Sequence, residues 1–145
     1  MLRHMYPKAD IPVVQLSLNQ NLNFREHLEV GKGLRSLREN GVLIVGSGNI
    51  THNLRRVDFN PNAKPMDWAV EFDEKIKLAL LNQDLDVLCA EDPKMQPLWT
   101  QALPTVEHYL PLLYVMGASS EDEQARFPFE GIELGSLSMR SVCYG

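Results

Sequence analysis

The sequence predicts an α/β domain in which a mixed sheet is flanked by helices, and three observations carry that expectation. Short, β-branched apolar runs stand at 11–18 ("IPVVQLSL") and 42–46 ("VLIVG"), a helical period fills the interval between them, and "GIELGSLSMRSVCYG" closes the chain at 131–145. Strand, helix and strand within about 35 residues is the βαβ pattern of parallel pairing, with a right-handed crossover. The two runs are therefore expected to be neighbouring or near-neighbouring strands of one sheet, with the helix packed across one face. A length of 145 residues without repeat, low-complexity tract or linker fits a single domain, 1–145.

Taken in order, "IPVVQLSL" is bounded by "KAD" and "NQN", and its near-continuous apolar character predicts a strand buried on both faces. Over 23–40 the period changes. Phe24, Leu28, Gly31, Leu34 and Leu37 fall on one side of an amphipathic helix. "ENG" closes it, with Gly41 suited to the left-handed position past the helix end. After "VLIVG" and a loop at 58–65, "MDWAVEFDEKIKLALL" (66–81) predicts a second helix with Trp68, Phe72, Ile76, Ala79 and Leu80 inward. Residues 82–104 read as irregular, broken by Pro93, Pro97 and Pro104. "TVEHYLPLLYVMG" (105–117) reads as a third helix, capped by Thr105, bent by Pro111 and ended by Gly117. "SSEDEQARFP" (119–128) is an acidic solvated loop, and the closing segment reads as two short strands joined around Gly135-Ser136 or as one bent strand.

Composition removes several function classes. Lys plus Arg number 14 against 19 Asp plus Glu, a net charge of −5, and Arg55-Arg56 is the only adjacent basic pair. A phosphate-backbone partner calls for a basic stripe, so no nucleic acid is expected. No apolar run approaches the roughly 18 residues of a membrane span, so no membrane partner is expected either. The start "MLRHMYPKAD" has no signal-peptide core. Cys89 and Cys143 make neither a metal-type pair nor a disulfide framework, which points to the reducing cytoplasm.

Chemistry concentrates in "GVLIVGSGNITHNLR" (41–55). Ligands in α/β sheets bind beyond the carboxyl ends of strands, and "VLIVG" runs straight into the loop that bears His52. Gly46 and Gly48 allow a sharp turn or a close backbone approach. The alternative is a loop histidine bonded to backbone. "GSGN" matches neither a phosphate loop nor a dinucleotide fingerprint, and Val45 stands where a nucleophile elbow needs glycine. His108 follows Glu107 near an expected helix N-terminus, which disfavours a protonated imidazole and suits a metal ligand. Its alternative is a capping or packing role. His4 reads as exposed and His27 as a helix-surface residue, both without a role. Two histidines 56 residues apart cannot hold a catalytic metal alone, so a metal-dependent hydrolase has little else in its favour.

The segments "MYPKADIPVVQLSL", "GLRSLRENGVLIVGSGNITHNLR", "PTVEHYLPLLYVMGA" and "EGIELGSLSMRSVCYG" resemble, in order and spacing, the class III extradiol ring-opening dioxygenases. The resemblance is to the bacterial and plant DOPA extradiol dioxygenase-like branch, and it runs from about Met5 to Gly145. It implies a metal-dependent enzyme that opens the ring of a catechol such as DOPA with O2, using one divalent non-haem ion, Fe2+ or Zn2+. By the same resemblance His52 lies in the metal pocket with the acid–base role and is a candidate second metal ligand, His108 is a metal ligand, and Asn53 is a pocket residue. The family's other metal-site histidines belong to an N-terminal half, in a Ser-His-Gly segment and a later loop, and neither is present here. The expectation is thus the C-terminal part of such a domain, which self-associates or pairs with a polypeptide supplying the other half. A catalytically silent fragment or interaction protein is the rival. If both rings serve one centre, they should lie within about 8 Å of each other.

Overall fold

The computed structural model describes residues 2–90 and 92–145. Helices come first: α1 (Leu2–Met5), α2 (Phe24–Gly33), α3 (Arg35–Glu39), α4 (Asp67–Asn82), α5 (Leu85–Leu88), α6 (Pro97–Ala102) and α7 (Leu110–Ala118). Short strands follow: β1 (Arg126–Phe129), β2 (Ile132–Glu133), β3 (Leu137–Ser138) and β4 (Ser141–Cys143). They pair antiparallel, β1 with β4 and β2 with β3. The α/β class is as expected, with small antiparallel sheets flanked by helices.

Asn23 starts α2 with a reciprocal cap. Its side chain accepts from the Glu26 backbone N–H, and the Glu26 carboxylate accepts from its own. The expected single helix over 23–40 divides at Leu34, where α2 ends and α3 begins. Gly41 closes α3 at φ +77, with Val42 donating to the Leu37 carbonyl and Gly41 to that of Arg38. That is the left-handed termination the sequence predicts.

The helices α2 and α7 meet backbone to backbone. A Cβ on Gly31 would stand 2.6 Å from the Tyr114 carbonyl oxygen, and one on Gly117 would stand 2.4 Å from that of Leu28. His27 lies in this contact, fully buried, with Nδ1 3.0 Å from the Tyr114 hydroxyl. It is therefore not the surface residue expected: one turn from Phe24 and Gly31, it shares their buried arc.

The inner face of α4 is as predicted, with Phe72, Ile76, Ala79 and Leu80 buried and Trp68 packed against the core. Trp99 centres that core, edge-on to Phe72 and Tyr109 at 4.8 and 5.2 Å between ring centroids. Residues 82–104 are more ordered than expected. Pro93 and Pro97 begin a 3-10 turn (Pro93–Met95) and α6 rather than breaking them, because the first helical turn needs no donor there. For the same reason Pro111 sits in the first turn of α7, where it costs no helical hydrogen bond, and not inside a longer helix. Thr105 caps nothing; its hydroxyl donates to Glu107, and the helix starts at Leu110 rather than 105. Arg126, Phe127 and Pro128, expected in a loop, belong to β1.

The two N-terminal strands are a correction. Residues 11–18 and 42–46 pair with nothing in either sheet among the described residues, so no βαβ unit forms. Val13 and Val14 are 70% and 92% exposed, and Leu43 is 56% exposed. A β-branched run becomes a strand only against a neighbour that takes its backbone bonds, and these runs have none here. No helix among the described residues is long and apolar enough to cross a membrane.

Candidate active site: a stacked imidazole pair

His52 and His108 come together from loops on different parts of the chain. Their ring centroids are 3.4 Å apart and their planes are inclined by 18°. This is well inside the separation expected for a shared centre.

Each ring is delivered by an anchored neighbour. Before His52, Gly48 packs so closely on the His108 backbone that a Cβ would fall 2.0 Å from its carbonyl oxygen. Asn49 donates its N–H to that same oxygen at 2.9 Å. The expected close approach at "GSGN" thus serves to lay one histidine loop on the other. His52 itself donates its backbone N–H to Ala102 at the end of α6 and forms an antiparallel bridge with Leu137 in β3. Behind His108, Tyr109 is buried in the core beside Phe24 and Trp99, and its hydroxyl donates to the Leu88 carbonyl at 2.9 Å. A large side chain pinned at both ends fixes the turn that carries His108.

Both rings are partly exposed at the surface of this seam, and Glu107 beside them is exposed. Burial lowers the pKa of His52, the neighbouring His108 lowers it further, and Glu107 works against both. The Glu107 carboxyl is itself held below its ordinary range, chiefly by the Thr105 hydroxyl. The site therefore favours a neutral His52 imidazole, stacked on the His108 ring beside a carboxylate, which leaves His52 a ring-nitrogen lone pair as proton acceptor.

Asn53 is buried, and its amide is engaged by the loop. Nδ2 donates to the Gln101 carbonyl at 2.7 Å, while Oδ1 accepts from Arg55 at 3.1 Å and caps the 3-10 turn Leu54–Arg56. Sequence reasoning missed the polar framework behind the loop, made of Thr51, Ser138, Asp73 and Arg140. A signal was present: Asp73 lies on the buried arc of α4 next to Phe72, where a carboxylate needs partners.

The scaffold is that of an aromatic ring-opening dioxygenase family. The family described as "Catalytic LigB subunit of aromatic ring-opening dioxygenase" matches residues 2–138, and the chain belongs to it. It is 44% identical to the 4,5-DOPA dioxygenase extradiol of Escherichia coli (strain K12), over all of this chain and 54% of that protein. The Beta vulgaris protein of the same name is 36% identical over 94% of this chain and 50% of its own length. The crystal structure of an uncharacterized protein from Escherichia coli K12 superposes with a TM-score of 0.88 at 43% identity, covering 97% of this chain and 58% of that one. The chain spans about half the length of the curated relatives it matches.

Proposed function

We propose that this chain forms the C-terminal part of a metal-dependent extradiol dioxygenase site that opens a catechol such as DOPA with O2. The observation that carries the reading is the stacked His52–His108 pair. The family match and the names of the relatives supply its direction.

The ring geometry favours a division of labour. An imidazole lone pair lies in the plane of its own ring, and two rings within 18° of parallel do not converge on one ion. One ring ligates while the other stands beside it. We take His108 as the ligand. His52, lowered by burial and so neutral near pH 7, accepts the catechol hydroxyl proton at a ring nitrogen and later returns it. Its assignment as a second ligand requires its ring to rotate out of the stack. Asn53, with its amide already spent on backbone, shapes the pocket wall rather than grasping substrate.

The donor set fits a metal in part. Catalytic sites generally use three protein ligands, whereas among the described residues no group of three or more His, Cys, Asp or Glu side chains could hold an ion. The reading takes the remaining ligands from the part of the relatives' length outside the match. A ferrous ion would supply open positions for catecholate and dioxygen together; zinc also occupies imidazole sites readily. The same shortfall favours a second reading, in which the chain is a catalytically silent interaction protein.

The deciding experiment mixes the chain with a polypeptide carrying the remainder of the relatives' length and measures metal content and oxygen uptake with a catechol. His108→Ala should lose metal. His52→Ala should keep it and lose turnover by on the order of a hundredfold, the scale of an acid–base group. Equal metal loss in both variants would make His52 a ligand. An inactive mixture that binds metal normally would leave the interaction reading.

A further inference from the structure

We propose that Thr51 and Ser138 are positioning residues for His52, held in place by Asp73 and Arg140. The proposal rests on the reading of His52 as the acid–base group, and it extends that reading to residues remote from the substrate.

The Ser138, Asp73 and Arg140 side chains bond in series, and Thr51 joins them through the Ser138 backbone N–H. The Thr51 hydroxyl donates to the Ser136 carbonyl at 2.9 Å and accepts from the Ser138 N–H at 2.8 Å. The Ser138 hydroxyl donates to Asp73 at 2.6 Å and accepts from the Arg140 N–H at 3.2 Å. Arg140 returns Nε to the second oxygen of Asp73 at 3.0 Å and pairs further with Glu74 and Glu130. Its guanidinium also lies over the Phe127 ring, 5.1 Å from the centroid.

Burial makes this arrangement expensive unless every partner is present. Thr51 and Ser136 are fully buried, Ser138 is 1% exposed and Asp73 is 4% exposed. Removing one partner leaves the others desolvated and unmatched, so such a network holds one geometry or fails. An apolar contact would fasten β3 to α4 equally well. What the network adds is direction, and it points at the catalytic loop. Its free end is Thr51, next to His52, and Ser138 follows Leu137, the bridge partner of His52. The His52 backbone is thereby clamped between α6 on one side and β3 on the other, with its ring stacked on His108.

Carbethoxylation of the histidines by diethyl pyrocarbonate, quantified by peptide mass, reads ring position in the 145-residue chain without requiring turnover. Exposed His4 reports the reagent, and buried His27 reports the integrity of the α2–α7 contact. Thr51→Val, which is isosteric, and Ser138→Ala should each raise His52 labelling several-fold with His27 unchanged, while Thr51→Ser restores the original rate. Unchanged His52 labelling in Thr51→Val overturns the proposal. So does a rise at His27 that matches the rise at His52, because the network would then hold the fold and not the ring. If Ser138→Ala does not fold, the Thr51 pair decides alone. In the two-part mixture, Thr51→Val should lower kcat by on the order of a hundredfold with KM retained, the cost of a small misplacement. Wild-type mixture that opens no catechol removes the oxygenase reading and leaves the labelling result to judge the positioning.

Discussion

At His27 a ring with Nδ1 bonded to Tyr114 and Nε2 unbonded among the described residues lies wholly inside the α2–α7 contact. Protonation there would place a charge in a site with no partner for it. Burial accordingly lowers the pKa, and Glu26 only partly offsets the shift. The unfolded chain takes up the proton near its ordinary value of about 6.5, before the folded one does. The stabilisation is thus full above about pH 6.5 and is lost as pH falls toward the lowered folded value. We predict that the urea midpoint drops between roughly pH 7 and 5, and that His27→Gln flattens part of the drop while lowering the midpoint at pH 7. A wild-type midpoint that is level over that range would contradict this account. His52, lowered by the same cause, leaves a residual slope in the variant.

At the scale of elements, contact between helix backbones sets opposite expectations for two glycines in neighbouring positions of the fold. Alanine in a helix gains about 1 kcal/mol over glycine. At Gly33 a Cβ meets nothing within 4 Å, so Gly33→Ala should raise Tm. At Gly117 the Cβ would strike the Leu28 carbonyl at 2.4 Å and the Lys32 nitrogen at 2.8 Å. Overpacking against rigid backbone costs typically about 1–3 kcal/mol, which exceeds the helical gain, so Gly117→Ala should lower Tm. Thermal unfolding of the pair checks both signs. The same contrast shows what could be read in the sequence. The inner face of α4 and the termination at Gly41 were legible because they depend on residues within a few turns of each other. The strands at 11–18 and 42–46 were not, because apolar character announces a strand while pairing requires a partner that lies elsewhere. Quoted motifs led to His52 and His108, whereas Asp73 and Arg140 are 67 positions apart and meet only after α4 has docked.

For the molecule as a whole, the exposed runs at 11–18 and 42–46 combine β-branched residues with backbone that joins neither sheet among the described residues, a template for edge association. We predict that light scattering by the chain rises with concentration. Val14→Lys, at a residue 92% exposed, should suppress the rise with little change in Tm, since a charge on an edge discourages pairing and nothing is packed there. A scattering signal that ignores both concentration and Val14→Lys would show that the runs are inert. On that prediction self-association is a question of reaction order: encounter of two copies rises with the square of the chain's concentration, so dilution favours the single chain and a burst of expression favours the homotypic aggregate, with no change in any residue.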